Sequence, residues 1–131
     1  MKTGSEARRR WAGTTAWALL VLASMALIGA GLWRTLFFVW ATEPALVERA
    51  SIGELYIYAG CVLAVTAAVW SHVRGNPVWV TVCVGLPGIL VGWAAWTDPI
   101  SLMRHLAAVV SYPRALAGVA EVVRARGYRQ R

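Results

Sequence analysis

Long apolar stretches without a charged residue alternate with short polar segments along this chain of 131 residues. The first covers residues 11–33, and its apolar pattern continues past Arg34 to Trp40. The second covers residues 55–71 and the third residues 75–97. About 20 apolar residues cross a bilayer as a helix. The first stretch also exceeds the apolar region of about 7–15 residues in a signal peptide, so the pattern predicts three transmembrane helices.

Helix boundary signals separate these stretches. Thr42-Glu43-Pro44 predicts the end of the first helix and a short surface helix over residues 44–50. Ser51-Ile-Gly-Glu54 matches a capping box before the second helix, and Asn76-Pro77 predicts the start of the third. Asp98-Pro99 repeats that signal. The predicted segments are a basic N-terminus (1–10), a first span (11–41), an acidic loop (42–54), a second span (55–72), a short loop (73–76), a third span (77–97), an amphipathic helical region (99–126) and a basic tail (127–131).

The last third of the chain is ambiguous between a fourth span and an amphipathic helix at the bilayer surface. Viewed as a helix, residues 100–112 divide into two faces. Pro113 then interrupts the pattern, and Arg114 would lie near the middle of a fourth span. One face holds Ser101, Arg104, His105, Ala108, Ser111 and Tyr112, and the other holds Leu102, Met103, Leu106, Val109 and Val110.

The distribution of charge favours four spans with both termini in the cytoplasm. Three spans with a cytoplasmic N-terminus would place most later arginines outside, against the usual bias, and three spans with an external N-terminus stay possible. Four spans place these basic residues inside: Lys2, Arg8, Arg9, Arg10, Arg74, Arg124, Arg126, Arg129 and Arg131. They place these acidic residues outside: Glu43, Glu48, Glu54 and Asp98.

Composition supports the membrane interpretation. Hydrophobic residue types make up 59% of the chain and charged types 15%, whereas soluble domains have about 25% charged residues. Tryptophan and arginine also cluster at the ends of the apolar stretches, where they anchor helices at bilayer interfaces. The predicted interfacial anchors are Trp11, Trp33, Arg34, Trp40, Trp70, Trp79 and Trp96.

Small residues at four-residue spacing predict close helix packing. Gly88 and Gly92 form a GxxxG motif, and Gly60, Ala64 and Ala68 form a stripe in the second span. Pro87 is expected to kink the third span, because proline removes a backbone hydrogen bond.

Chemistry-bearing residues do not form a recognisable site in the sequence. His72 and His105 are expected to lie most of a bilayer apart, and Cys61 and Cys83 lie inside apolar stretches without metal-binding spacing. We therefore predict no catalytic residue, no metal and no cofactor.

The sequence favours an all-α, polytopic integral membrane protein that serves as a non-catalytic accessory subunit. We expect a larger complex in the bacterial inner membrane, such as a respiratory-chain terminal oxidase. Its expected partners are other membrane subunits and, at the basic termini, anionic lipids; nucleic acid is not expected. The alternatives are a self-assembling pore former or small transporter component, and a small membrane enzyme that uses the outer carboxylates on a lipid-linked substrate.

Overall fold

A computed structural model describes residues 2–36, 43–98 and 101–128 of the chain. The described part consists of four α-helices: α1 (Lys2–Thr35), α2 (Pro44–Val73), α3 (Val78–Thr97) and α4 (Met103–Tyr128). All four are long and apolar enough to cross a membrane. The chain is therefore a multi-pass, all-α membrane protein.

Both termini of the bundle lie at one end. Arg126, near the end of α4, donates hydrogen bonds to the Arg10 carbonyl and to Thr14, near the start of α1. The four helices thus alternate in direction, as the four-span topology predicts. We call the end marked by Arg10, Arg74 and Arg126 the basic end. The opposite end, marked by Glu54 and Asp98, is called the acidic end.

Some predicted features fall outside the described residues. They are residues 37–41 of the first predicted span, Trp40, Pro99 and residues 129–131 of the basic tail. Within the described part, α1 begins at Lys2, so the basic segment before Trp11 is helical and continuous with the first span.

The second helix differs from its predicted boundaries. It begins at Pro44 and continues without a break through Ser51 and Glu54, where a loop and a cap were predicted. The Ser51 hydroxyl donates to the Glu48 carbonyl one turn earlier, as serine does inside a helix. Gly53 packs against α1, so the helix passes this point as part of the bundle. The capping pattern therefore occurs within a helix here.

A glycine turn ends α2 and leads into α3. Gly75 has a φ of 73°, which favours glycine. Its N–H bonds the His72 carbonyl at 2.9 Å, and the Asn76 N–H bonds the Ser71 carbonyl at 3.2 Å. These two bonds form a Schellman motif. Asn76 does not cap α3 as predicted; its side chain bonds the Ser71 hydroxyl, and Pro77 takes the cap position.

The fourth helix runs through Pro113 as one element of 26 residues. It starts at Met103, where the Ser101 hydroxyl accepts the Met103 N–H, rather than directly after Asp98 and Pro99. The two predicted faces are present, and the polar face points inward. Arg104, Ala108, Ser111, Ala115, Gly118 and Val122 are buried, while Leu102, Met103, Leu106, Val109 and Val110 are exposed.

The interior of the bundle contains two stacked apolar clusters to which all four helices contribute. The cluster nearer the basic end is centred on Trp17, whose indole N–H donates to the Ala67 carbonyl at 3.0 Å. The cluster nearer the acidic end is centred on Ile28 and Ile57, both fully buried. Trp17 thus joins α1 to α2 by a hydrogen bond as well as by packing.

The contact between α1 and α4 is narrower than the contacts between consecutive helices, and it includes several hydrogen bonds. His105 lies 3.2 Å from the Leu32 carbonyl, and the Tyr112 hydroxyl donates to the Met25 carbonyl at 2.7 Å. Arg126 and Thr14 continue this line at the basic end. The three α4 residues His105, Tyr112 and Arg126 are separated by multiples of seven positions, so they share one side of the helix. Hydrogen bonds therefore close the bundle between its first and last helices.

Tyr112→Phe is expected to lower the free energy of unfolding in detergent micelles by about 0.5–1.5 kcal/mol, because it removes only one hydroxyl donor. Equilibrium unfolding in sodium dodecyl sulfate mixtures would measure the change. Tyr128→Phe is the matched control, because Tyr128 is 78% exposed. Equal losses in both variants would contradict a role for the Tyr112 hydroxyl at this contact.

Candidate functional site

The predicted small-residue stripe of α2 is divided between two neighbouring helices: Gly60 packs against α1, whereas Ala64 and Ala68 pack against α3. A Cβ on Gly60 would come within 2.6 Å of Ile28 Cγ1 and 2.8 Å of the Ser24 carbonyl oxygen. Two helical turns nearer the acidic end, Gly31 and Gly53 face each other just as closely. The backbones of α1 and α2 are therefore in direct contact, and this surface is already occupied within the chain.

The GxxxG motif of α3 faces α2. A Cβ on Gly88 would lie 2.8 Å from the Cys61 carbonyl oxygen and 3.0 Å from Ala64 Cβ, whereas one on Gly92 would meet Cys61 only at ordinary contact distance. Ala68 lies 3.2 Å from the Cβ position of Gly85. Pro87 is buried, and α3 continues through it. The expected kink stays a prediction.

The predicted aromatic anchors occupy two levels of the bundle. Trp11, Trp70 and Trp79 lie toward the basic end, and Trp33 and Trp96 toward the acidic end. The rise along α1 from Trp11 to Trp33 is about 33 Å, close to the thickness of a bilayer core of about 30 Å. Trp96 is 80% exposed and Trp33 is 64% exposed, which suits an interfacial position.

Arg34, interpreted from sequence as a snorkelling residue, has a contact within the chain. Its guanidinium carbon lies 5.0 Å from the centroid of the Tyr56 ring. A cation–π contact of this kind contributes about 0.5–1 kcal/mol at an exposed site. Arg34 thus also contacts α2 near the acidic end.

Arg104 is a buried cation at the acidic end. Only 2% of its surface is exposed. Its Nε and Nη1 atoms have no hydrogen-bond partner among the described residues. Burial disfavours its positive charge, and Glu54 and Asp98 offset only part of that cost. The arrangement leaves a buried guanidinium with fewer hydrogen bonds than it can make.

Arg114, in contrast to the buried Arg104, is an exposed cation near the middle of a span. Tyr112 is hydrogen-bonded to Met25, which lies about 21 Å along α1 from Trp11 and about 12 Å from Trp33. Arg114 follows Tyr112 by two residues toward the basic end. Arg114 Nη1 donates to the Val110 carbonyl at 3.1 Å, its one hydrogen bond within the described residues. An arginine at the centre of a transmembrane helix costs about 2.5–3.5 kcal/mol on insertion scales.

Arg114 belongs to a line of exposed residues on α4. Residues three or four positions apart share one helix face. We call this surface the α4 outer stripe; it consists of Val110, Arg114, Ala117, Glu121 and Arg124, all exposed. It faces away from the buried side of α4. The stripe therefore presents charge where lipid would be expected.

The histidines and carboxylates do not converge on a metal site. No group of three His, Cys, Asp or Glu residues that could hold a metal ion occurs among the residues the structure describes. His72 lies near the basic end and His105 near the acidic end. Glu54 and Asp98, two of the carboxylates predicted to lie outside, are close enough to Arg104 to act on its charge.

Comparisons with known proteins leave these local features as the basis for a functional argument. No protein-family model, curated protein or solved structure matches this chain.

The sequence patterns did not single out Trp17, Gly31 or Gly53. The two glycines lie on different helices, so spacing within one helix does not reveal them. The tryptophan lies inside an apolar stretch that resembles any other core segment.

Proposed function

We propose that this chain is a non-catalytic subunit of a larger membrane protein complex and that the α4 outer stripe is its docking surface. The observation that carries the proposal is Arg114, an exposed cation at mid-span bonded only to a carbonyl of its own helix within the described residues. A partner carboxylate at the same depth would stabilise this charge far better than lipid.

The chemistry of the partner follows from the stripe. The partner must contact the stripe through a transmembrane helix that carries Asp or Glu at the depth of Arg114. Ala117, one turn further along α4, leaves room for such a helix to approach closely. A second copy of the chain in parallel orientation would bring Arg114 against Arg114 on the two-fold axis, and this repulsion favours a different protein as the partner.

The small-residue surfaces also favour α4 as the docking helix. Gly60, Gly53 and Gly88 are occupied by contacts between α1, α2 and α3. The α4 outer stripe is not used in the bundle.

The proposed location is the bacterial inner membrane with the basic end in the cytoplasm, in line with the positive-inside rule. Among host complexes we propose to examine a respiratory-chain assembly, such as a terminal oxidase, first.

Photocrosslinking in native membranes tests the docking surface. A photoreactive amino acid at Ala117 is expected to give a discrete adduct with another polypeptide. Peptide mapping should place the adduct on a transmembrane helix, within one turn of an Asp or Glu. The matched control is the same probe at Val82, which is 54% exposed on α3 and level with Ala117, because Gly118 packs beside Val80 and Cys83; it should give much less protein adduct.

Arg114→Leu separates docking from folding. It is expected to reduce the adduct at Ala117 by at least about fivefold, because a charge-assisted contact contributes roughly 1.5–3 kcal/mol. Its stability in micelles should not fall. Absence of any protein adduct at Ala117 would reject the proposal. Adducts only with a second copy, together with solute flux through liposomes that contain this protein alone, would instead support the pore-forming alternative.

A further inference from the structure

Two arginines from different helices meet on α1 at the basic end. Arg74 Nη2 donates to the Arg10 carbonyl at 3.3 Å and to the Thr14 hydroxyl at 3.2 Å. Arg126 Nη1 donates to the same two oxygens. Both oxygens belong to neutral groups, so this pair of acceptors does not compensate the two positive charges. The arrangement concentrates positive charge at one point of the bundle.

The sequence of α1 provides space for this arrangement. A Cβ on Gly13 would lie 2.5 Å from Arg74 Nη1 and 3.2 Å from Arg74 Cζ. The Arg74 guanidinium would have to move if this position carried a Cβ. Gly13 thus leaves room for a charge without contributing one.

An open groove of about 400 Å³ begins beside this cluster. It is lined by Glu6, Arg9, Arg10, Gly13, Trp70 and Arg74. The lining therefore includes three arginine side chains but only one carboxylate, that of Glu6. The groove lies between the first turns of α1 and the last turns of α2, at the level of Trp11 and Trp70. That level corresponds to the headgroup region of a bilayer.

We propose that this groove binds the phosphate group of an anionic phospholipid. Guanidinium groups bind phosphate oxygens through charge-assisted hydrogen bonds, and basic pockets between transmembrane helices bind lipid headgroups. Trp70 offers an apolar ring beside the glycerol backbone and acyl chains, while the arginines meet the phosphate. The proposal does not depend on the docking surface of α4.

Glu6 leaves the groove with an excess of positive charge. Its carboxylate offsets one of the three arginines that line the groove, so two positive charges are left over among these residues. The groove is therefore expected to bind lipids with a net negative headgroup, phosphatidylglycerol and phosphatidylserine, in preference to zwitterionic phosphatidylcholine.

Native mass spectrometry of the purified full chain tests the proposal. The protein would be released from micelles supplemented in turn with phosphatidylglycerol, phosphatidylserine and phosphatidylcholine. Phosphatidylglycerol is expected to bind about tenfold more tightly than phosphatidylcholine, because each arginine near the headgroups contributes about 1 kcal/mol. Equal binding of these two lipids would overturn the proposal. Competition by millimolar glycerol 3-phosphate would also overturn it, since the site would then bind free phosphate compounds.

Two variants locate the site. Arg74→Gln is expected to weaken phosphatidylglycerol binding about fivefold. Gly13→Ala should also weaken it, although it changes no charge, because it displaces the Arg74 guanidinium. The control is Arg8→Gln, which removes an exposed charge near the same end but on the opposite face of α1 from the groove and should leave binding within about twofold. If Arg74→Gln does not fold, Gly13→Ala decides; equal losses from Gly13→Ala and Arg8→Gln would reject a defined site.

Discussion

Gly60→Ala is expected to lower the free energy of unfolding in detergent micelles by about 1–3 kcal/mol, because overpacking a closed interface displaces its atoms. The added methyl group would meet the Ser24 carbonyl oxygen at 2.8 Å and the Ile28 backbone nitrogen at 2.9 Å. Backbone atoms cannot rotate away as a side chain can. The helices α1 and α2 would have to separate, and the loss would extend to neighbouring contacts.

The matched control for Gly60→Ala is Gly92→Ala. Its methyl group would lie 3.6 Å from Cys61 Sγ and 3.8 Å from Cys61 Cβ, which are ordinary contact distances. We expect its stability to stay within about 0.5 kcal/mol of the parent protein, and it gains a little from the better helix former. Unfolding curves in sodium dodecyl sulfate would compare the two. Similar destabilisation by both variants would contradict a specific role for the α1–α2 contact, because helix propensity favours alanine over glycine at both positions.

Arg104→Met and Arg104→Glu are expected to change stability in opposite directions. Methionine fills similar space and removes a buried charge whose Nε and Nη1 lack partners among the described residues, so we expect a gain of about 1–3 kcal/mol. Glutamate would place a buried negative charge near Glu54 and Asp98, and we expect a loss of about 3–5 kcal/mol.

The gain in Arg104→Met depends on the carboxylates that stay behind. Asp98 is exposed and Glu54 is only partly buried, so water can solvate both once the arginine is gone. Arg49→Met and Arg49→Glu provide the control, because Arg49 is exposed at the same end and should change stability by less than about 0.5 kcal/mol. A large loss in Arg104→Met would mean that Arg104 holds the acidic end together.

The spans were readable from sequence because lipid imposes a strong rule: an uncharged stretch of sufficient length must be a helix that satisfies its own backbone. The side of α4 that faces the bundle interior was harder to predict. Its two faces were visible, but an interfacial helix and a fourth span share such a pattern. In the structure the apolar face, with Leu106 and Val109, is exposed, and the face with Arg104 and Ser111 is buried. That orientation suits a helix surrounded by lipid.

Details that depend on contacts between distant segments were not readable. The meeting of Gly31 with Gly53 requires the register between α1 and α2, which no local motif encodes. The convergence of Arg74 and Arg126 on Thr14 likewise joins three helices. The Ser51–Glu54 pattern failed for a different reason. A serine hydroxyl can bond a carbonyl inside a helix as readily as it can cap one.

The polar contact between α1 and α4 also has a consequence for biogenesis. While the ribosome is still synthesising the chain, α1 and α2 can already form their backbone contact, and α3 can join them. The hydrogen bonds from His105, Tyr112 and Arg126 become available only when the last helix has entered the bilayer. The Met25 carbonyl lies inside α1, where the helix already satisfies it. Co-translational insertion can therefore pause at three helices without leaving a buried polar group exposed to lipid at that position, and the bundle closes only after α4 has inserted.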